Sequence, residues 1–184
     1  MIGTLTTTDE GAMAMLEAIH MALGIPAEYP RKCGLPEQPE CTTLVSVGED
    51  AFGRPAQLDA TAADAWSRMQ QAAAADGITL LLVSAYRSHD YQRQLIQRKL
   101  DRGQFINDIL QVNAAPGYSE HHSGRALDIG CEGFAHLEEE FEESPAFDWL
   151  QDNAKKFGFR LSFPRFNPYG VMYEPWHWYY IGTK

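Results

Sequence analysis

The sequence predicts an α+β fold in which helices pack around a short, mainly antiparallel sheet. Two observations lead there. Segments with apolar residues at helical spacing, bounded by start and stop signals, fill much of the first part of the chain. Short β-type runs gather around one cluster of candidate metal ligands in the later part. No internal repeat or low-complexity tract breaks the 184 residues, which reads as a single globular domain with its own core. Within it, 1–77 form a helical and irregular N-terminal part and 78–182 the core.

Taken in order, residues 9–23 carry apolar positions at helical spacing and stop at Gly24, with Pro26 just beyond. Residues 26–57 are rich in Pro, Gly and Cys and hold one strand-like run, Thr43 to Val47, so irregular surface packing is expected. An Ala-rich helix follows over 59–75, with Asp59 as N-cap and Gly77 as stop. The run ITLLLVSAY is continuous enough for a strand buried on both faces, and Arg87 sits where it leaves the core. HDYQRQLIQRKLDRG reads as a helix ended by Gly103, and RALDIG as a strand after a looser stretch. SPAFDWLQDNAKKFG carries a full set of boundary signals: Ser144 as N-cap, Pro145 at the first helical position and Gly158 as stop. FRLSFP and WHWYYIG then read as strands.

Charge and composition exclude several functions. A formal charge of −10 repels phosphate backbones and anionic lipid surfaces, so nucleic acid is not an expected partner. No stretch approaches the roughly 20 apolar residues of a membrane span. The start, MIGTLTTTDEGAMAM, lacks a basic, then apolar, signal sequence, and the expectation is a cytoplasmic protein, or a periplasmic one if the chain is trimmed. Three cysteines cannot all pair within one chain, which fits a reducing compartment; Cys33 and Cys41 could bridge a short loop after export.

The chemistry concentrates in GYSEHHSGRALDIG, where His121 and Asp128 lie seven apart with Gly124 between them. A glycine there lets the chain turn tightly, so a loop His and a strand Asp can converge. His177, in EPWHW, completes a His/Asp/His set that leaves a fourth tetrahedral position for water, as a catalytic zinc requires. By spacing alone, His122 competes with His121. Glu174, three residues before His177, is a carboxylate beside the metal that is not needed as a ligand, hence a candidate general base. Residues three apart on a regular strand face opposite sides, and Pro175 marks the irregularity that would bring both to the site. Arg87 could stabilise an oxyanion or grip a substrate carboxylate. His20, His89 and His136 read as ordinary hydrogen-bonded residues, the acidic run Glu138 to Glu143 as a solvated helix face, and Trp176 and Trp178 as core or pocket wall.

SEHHSGRALD resembles the Ser-x-His-x-x-Gly-x-Ala-x-Asp motif, and EPWHW the Glu-x-x-His motif, of VanY-type D-alanyl-D-alanine carboxypeptidases, which share a fold with the hedgehog signalling domain. SAYRSHDYQ is similar to the same family's Ser-Gly-Tyr-Arg-Ser segment, and the likeness covers roughly 78–182. It implies Zn2+ held by His121, Asp128 and His177, with His122 excluded. It also implies Glu174 as base, Arg87 as oxyanion stabiliser, and Gln92, Ser119, Tyr86 and Trp176 at the substrate cleft. Tyr179 and the stretch from Phe163 to Tyr173 depart from the family pattern near the end of the fold that closes the site.

The implied reaction is removal of a C-terminal D-Ala from peptidoglycan stem peptides or muropeptides. A D,D-carboxypeptidase leads; an L,D-carboxypeptidase acting on tetrapeptides in cytoplasmic murein recycling is the alternative. A phage-type endopeptidase and a zinc-binding module without turnover are weaker rivals, disfavoured by the negative charge and by Glu174 respectively.

Overall fold

The computed structural model describes residues 7–182. Its elements are α1 (Thr7–Leu23), α2 (Tyr29–Lys32), β1 (Leu44–Glu49), β2 (Pro55–Asp59), α3 (Ala60–Ala75), β3 (Leu81–Ser84), α4 (His89–Asp101), α5 (Ile106–Val112), β4 (Ala126–Gly130), α6 (Pro145–Asn153), β5 (Phe159–Leu161) and β6 (His177–Tyr180). β3, β4, β6 and β5, in that spatial order, form an antiparallel sheet, and β1 and β2 form a separate antiparallel hairpin. The α+β expectation holds.

Local chemistry sets the helix boundaries. Asp59 accepts hydrogen bonds from the N–H groups of Thr61 and Ala62 at 3.0 and 3.4 Å, and Ser144 from that of Phe147 at 3.1 Å, each satisfying donors a helix start leaves open. Past Asn153 the chain tightens into a 3-10 turn and stops at Gly158, whose φ is +83°. The strand over 78–86 is shorter than the sequence suggests, only Leu81–Ser84.

Two expectations needed correction. The segment 26–57 is not merely irregular: β1 extends to Glu49 and returns as β2, and a short helix, α2, precedes them. The looser stretch before β4 contains α5. Cys33, Cys41 and Cys131 are all free thiols, so the loop between Cys33 and Cys41 is not bridged.

The main core lies between the four-stranded sheet, α3 and α6, with Trp66, Met69, Leu127, Ile129, Leu150 and Phe159 nearly inaccessible to solvent. Burying side chains of this size contributes roughly 1.5–3 kcal/mol each before entropy is counted. A second cluster joins α1 to α4 and α5 through Ile19, Leu23, Ile96 and Ile109. The acidic stretch folds as a 3-10 turn over Glu139–Glu143 that buries Phe141 and leaves Glu139 and Glu140 in solvent.

The N-terminal part braces the site. Backbone N–H groups of Gln38, Cys41 and Asp59 donate to the carbonyls of Gly117, His122 and Gly124 at 2.7, 2.8 and 2.8 Å. The loop from 117 to 124 is thus fastened from outside. At Gly124 only glycine fits: φ is +68°, and an added Cβ would lie 2.8 Å from the backbone nitrogen of Asp59.

Candidate metal centre and cleft

The ligand-bearing loop folds as a 3-10 turn over Glu120–Ser123. With about three residues per turn, successive side chains leave it in three directions. Glu120 points toward His177, His121 toward Asp128, and His122 toward the backbone of Arg87. All three are buried.

His121, Asp128 and His177 each offer one ligand atom, and these atoms lie within 4.8 Å of one another. The sheet brings two of them together, since Asp128 on β4 and His177 on β6 are register partners. His121 arrives through the turn that Gly124 ends.

The hydrogen bonds of the donor set fit a cation. His121 Nδ1 lies 2.6 Å from the carbonyl oxygen of Ala85, which can only accept, so Nδ1 carries the proton. Its Nε2 is therefore a lone pair, buried and without a hydrogen-bond partner among the described residues, although Asp128 Oδ1 is only 3.3 Å away. A lone pair aimed at a carboxylate is unfavourable unless a cation is shared between them. Burial, with the nearby Arg87 charge, holds this imidazole down to about 4, so it stays neutral, the form that ligates.

His177 is arranged differently. Nδ1 faces Asp128 Oδ1 at 3.2 Å, and Nε2 meets Glu120 Oε2 at 2.9 Å. Burial alone would lower its pKa, but hydrogen bonds to Asp128 and Glu120 and the charges of both carboxylates raise it to about 10 in the metal-free chain. Burial likewise opposes ionisation of Asp128, and the charged His177 and Arg87 beside it outweigh that, leaving the carboxylate charged.

His122 is excluded by its partners. Its Nδ1 donates to the Arg87 carbonyl at 2.6 Å and its Nε2 accepts from the N–H of Gly117 at 3.2 Å, so both nitrogens are occupied. Burial depresses its pKa to about 3, and it is a neutral structural clamp on the segment that carries Arg87.

Glu174 sits ahead of β6 in a turn in which the N–H of His177 donates to the Glu174 carbonyl at 3.1 Å. The turn, with Pro175 inside it, lets residues three apart share one side. Glu174 Oε2 lies 3.5 Å from His177 Nδ1. Burial pushes its carboxyl up to about 7, with His177 opposing and Asp128 assisting.

Arg87 donates from one terminal nitrogen to Asp128 Oδ2 at 3.1 Å and from the other to Gln92 Oε1 at 3.3 Å, while its Nε is buried with no partner among the described residues. Gln92, 1% exposed, also donates to the Ala114 carbonyl at 2.8 Å, so it acts as a bracket for the guanidinium.

Two cavities meet here. One of about 640 Å³ is bounded by Arg87, Asp128, Glu174 and Trp176; a small one of about 40 Å³ is bounded by Gln92, Ser119, His121 and His177, with Arg87 and Glu174 on both walls. Tyr86 lines neither, and its hydroxyl donates to Glu40 Oε2 at 3.2 Å. Of the stretches that depart from the family pattern, Phe163 and Val171 line the small cavity and Met172 and Tyr173 the large one. Tyr179 lines neither and lies beneath the Arg160 guanidinium.

Sequence reasoning missed Glu120 and Asn113. Asn113 lines both cavities. Glu120 follows Ser119 at an unconstrained position of the motif, and the one available hint was an acid directly beside a ligand.

The family model described as VanY: D-alanyl-D-alanine carboxypeptidase matches residues 55–183, beginning earlier than the 78–182 core read from motifs and so taking in β2 and α3. YodJ of Bacillus subtilis (strain 168), a putative carboxypeptidase by its description, is 39% identical over 129 residues, which are 67% of this chain and 46% of YodJ, so this chain spans about half of that relative's length. Among solved structures, the LdcB LD-carboxypeptidase superposes with a TM-score of 0.71 at 34% identity, covering 81% of this chain and 72% of that one. A mutant of the vancomycin-resistance D,D-pentapeptidase VanY, in complex with Zn(II), gives 0.61 at 27% identity, covering 80% and 83%.

Proposed function

Since this chain belongs to the VanY D-alanyl-D-alanine carboxypeptidase family, we propose that it is a zinc carboxypeptidase that hydrolyses the terminal D-Ala from peptidoglycan stem peptides. His121 through Nε2, Asp128, and His177 through Nδ1 would hold the metal. When bound, zinc supplies the Lewis acidity that polarises a carbonyl and lowers the pKa of water toward about 7.

The chain's own residues divide the remaining work. Glu174 takes a proton from the attacking water and returns it to the departing amine nitrogen as the C–N bond breaks. Its position on the wall shared by both cavities supports this role. Arg87 stabilises the oxyanion: two of its nitrogens are held by Asp128 and Gln92, and the unpartnered Nε–H is a preorganised donor. Ser119 and Gln92 bound the small cavity beside His121 and His177, which we read as the seat of the terminal residue beyond the scissile bond. The stem lies in the large cavity, against Trp176.

The observation that carries this reading is the convergence of three buried ligand atoms within 4.8 Å, with a carboxylate of raised pKa beside them. A second reading, L,D cleavage of tetrapeptides, is favoured by the likeness to the LdcB LD-carboxypeptidase at a TM-score of 0.71. Among the described residues no helix is long and apolar enough to cross a membrane. Comparing kcat/KM on matched penta- and tetrapeptides, with products read by mass spectrometry, tests both: D,D activity requires the pentapeptide to win.

A further inference from the structure

Glu120 is neither a ligand nor a proton carrier in the reaction proposed above, yet it is only 8% exposed. A buried carboxylate is costly unless its oxygens are satisfied. Here Oε2 accepts from His177 Nε2 at 2.9 Å, and Oε1 faces an Arg160 terminal nitrogen at 3.3 Å.

Strand register fixes the backbone of His177 opposite Asp128 but not the orientation of its ring. A half-turn of the imidazole would exchange Nδ1 for a carbon and remove the nitrogen from the site. The tautomer is equally open, because a neutral imidazole can carry its proton on either nitrogen. A carboxylate at Nε2 closes both choices: it holds the ring in one orientation and keeps the proton on Nε2, leaving the Nδ1 lone pair directed at Asp128. His121 has the analogous support from a neutral backbone carbonyl, that of Ala85. The two imidazoles are thus backed unequally, one by a dipole and one by a charge.

We infer that Glu120, held by Arg160, is a positioning residue that orients His177 and sets its tautomer so that Nδ1 is the ligating atom. This rests on the zinc reading above. A carboxylate behind a ligating imidazole raises the basicity of the ligand as well as fixing it, and loss of such a partner typically weakens metal affinity 10–100-fold.

The test is a titration of the metal-free full chain with Zn2+ against a chromophoric chelator, for wild type, Glu120→Gln, Glu120→Ala and Arg160→Ala, with circular dichroism verifying the fold. Glu120→Ala is expected to weaken zinc binding about 10–100-fold. Glu120→Gln, whose amide oxygen still accepts from Nε2–H, should fall between it and wild type, and Arg160→Ala should lose less than Glu120→Ala. The visible absorption of the Co2+-loaded protein should shift in Glu120→Ala, because the ring is no longer held. If Glu120→Ala does not fold, Glu120→Gln carries the test, through weaker affinity and an altered Co2+ spectrum. Wild-type affinity and spectrum in a folded Glu120→Ala, or in Glu120→Gln if that variant alone folds, would overturn the inference while leaving the zinc reading intact. Absence of zinc binding by wild type would overturn both.

Discussion

Asp128 on β4 and His177 on β6 are cross-strand partners, and Oδ1 of the one lies 3.2 Å from Nδ1 of the other. Two candidate ligands are therefore positioned by the sheet itself, while the third, His121, depends on the turn closed by Gly124. The sheet should tolerate loss of metal better than the loop, and the loop should be where the site fails first.

The ligand set predicts one zinc per chain, lost or severely weakened in His121→Ala, Asp128→Ala or His177→Ala, since each leaves two protein ligands where catalytic sites use three. His122→Ala should keep its zinc and instead lose about 1–3 kcal/mol of stability, because it strands the Arg87 carbonyl and the Gly117 N–H. Elemental analysis and thermal melts read the two effects separately, and full zinc occupancy in His177→Ala would sink the assignment.

Glu174→Gln should retain zinc and lose about 10²–10⁴-fold in turnover, the usual contribution of a general base. A second consequence appears without metal. The folded-state value of about 7 lies above the ordinary 4.5, so this group's contribution is favourable below about pH 4.5 and is lost as pH rises through 7. The amide suffers no such loss. Metal-free Glu174→Gln should thus be more stable than metal-free wild type at about pH 8, by on the order of 1–3 kcal/mol, and indistinguishable below about pH 4. Equal urea midpoints at both pH values would contradict the burial argument.

Arg87→Ala should keep zinc and lose about 10²–10³-fold in kcat if the guanidinium meets the oxyanion. Gln92→Ala, which removes the bracket but not the charge, should lose less. Near-normal kcat with a raised KM in Arg87→Ala would instead assign Arg87 to substrate binding.

Gly124→Ala should destabilise the protein by a few kcal/mol, combining left-handed strain of about 1–2 kcal/mol with a contact on the backbone of Asp59 that cannot move freely. Chemical denaturation measures it. Zinc affinity should fall with it, because the same turn delivers His121.

Much of this was legible in the chain, and the failures have physical causes. Helices whose ends are written in side chains, such as those begun by Asp59 and Ser144, stand where expected. α5 was missed because Phe105 at its start makes no side-chain cap, and β2 because it opens on Pro55 and runs directly into α3 at Asp59. In the site, the motif residues were readable because their spacing is local. Glu120 was not: its partner lies 57 residues away, and only the sheet brings the two together. Tyr179 looked relevant to the pocket because it departs from the family pattern near the end of the fold that closes the site, but the cavities are bounded instead by the stretch that includes Phe163 and Met172.

The most direct test of the central claim is release of free D-alanine from a defined stem pentapeptide by the zinc-loaded chain, with zinc-loaded Glu174→Gln as control. One D-alanine per peptide, with a tetrapeptide left behind and almost no release by the variant, is the expected result. Cleavage inside the stem with no free D-alanine, or equal release by Glu174→Gln, would contradict it.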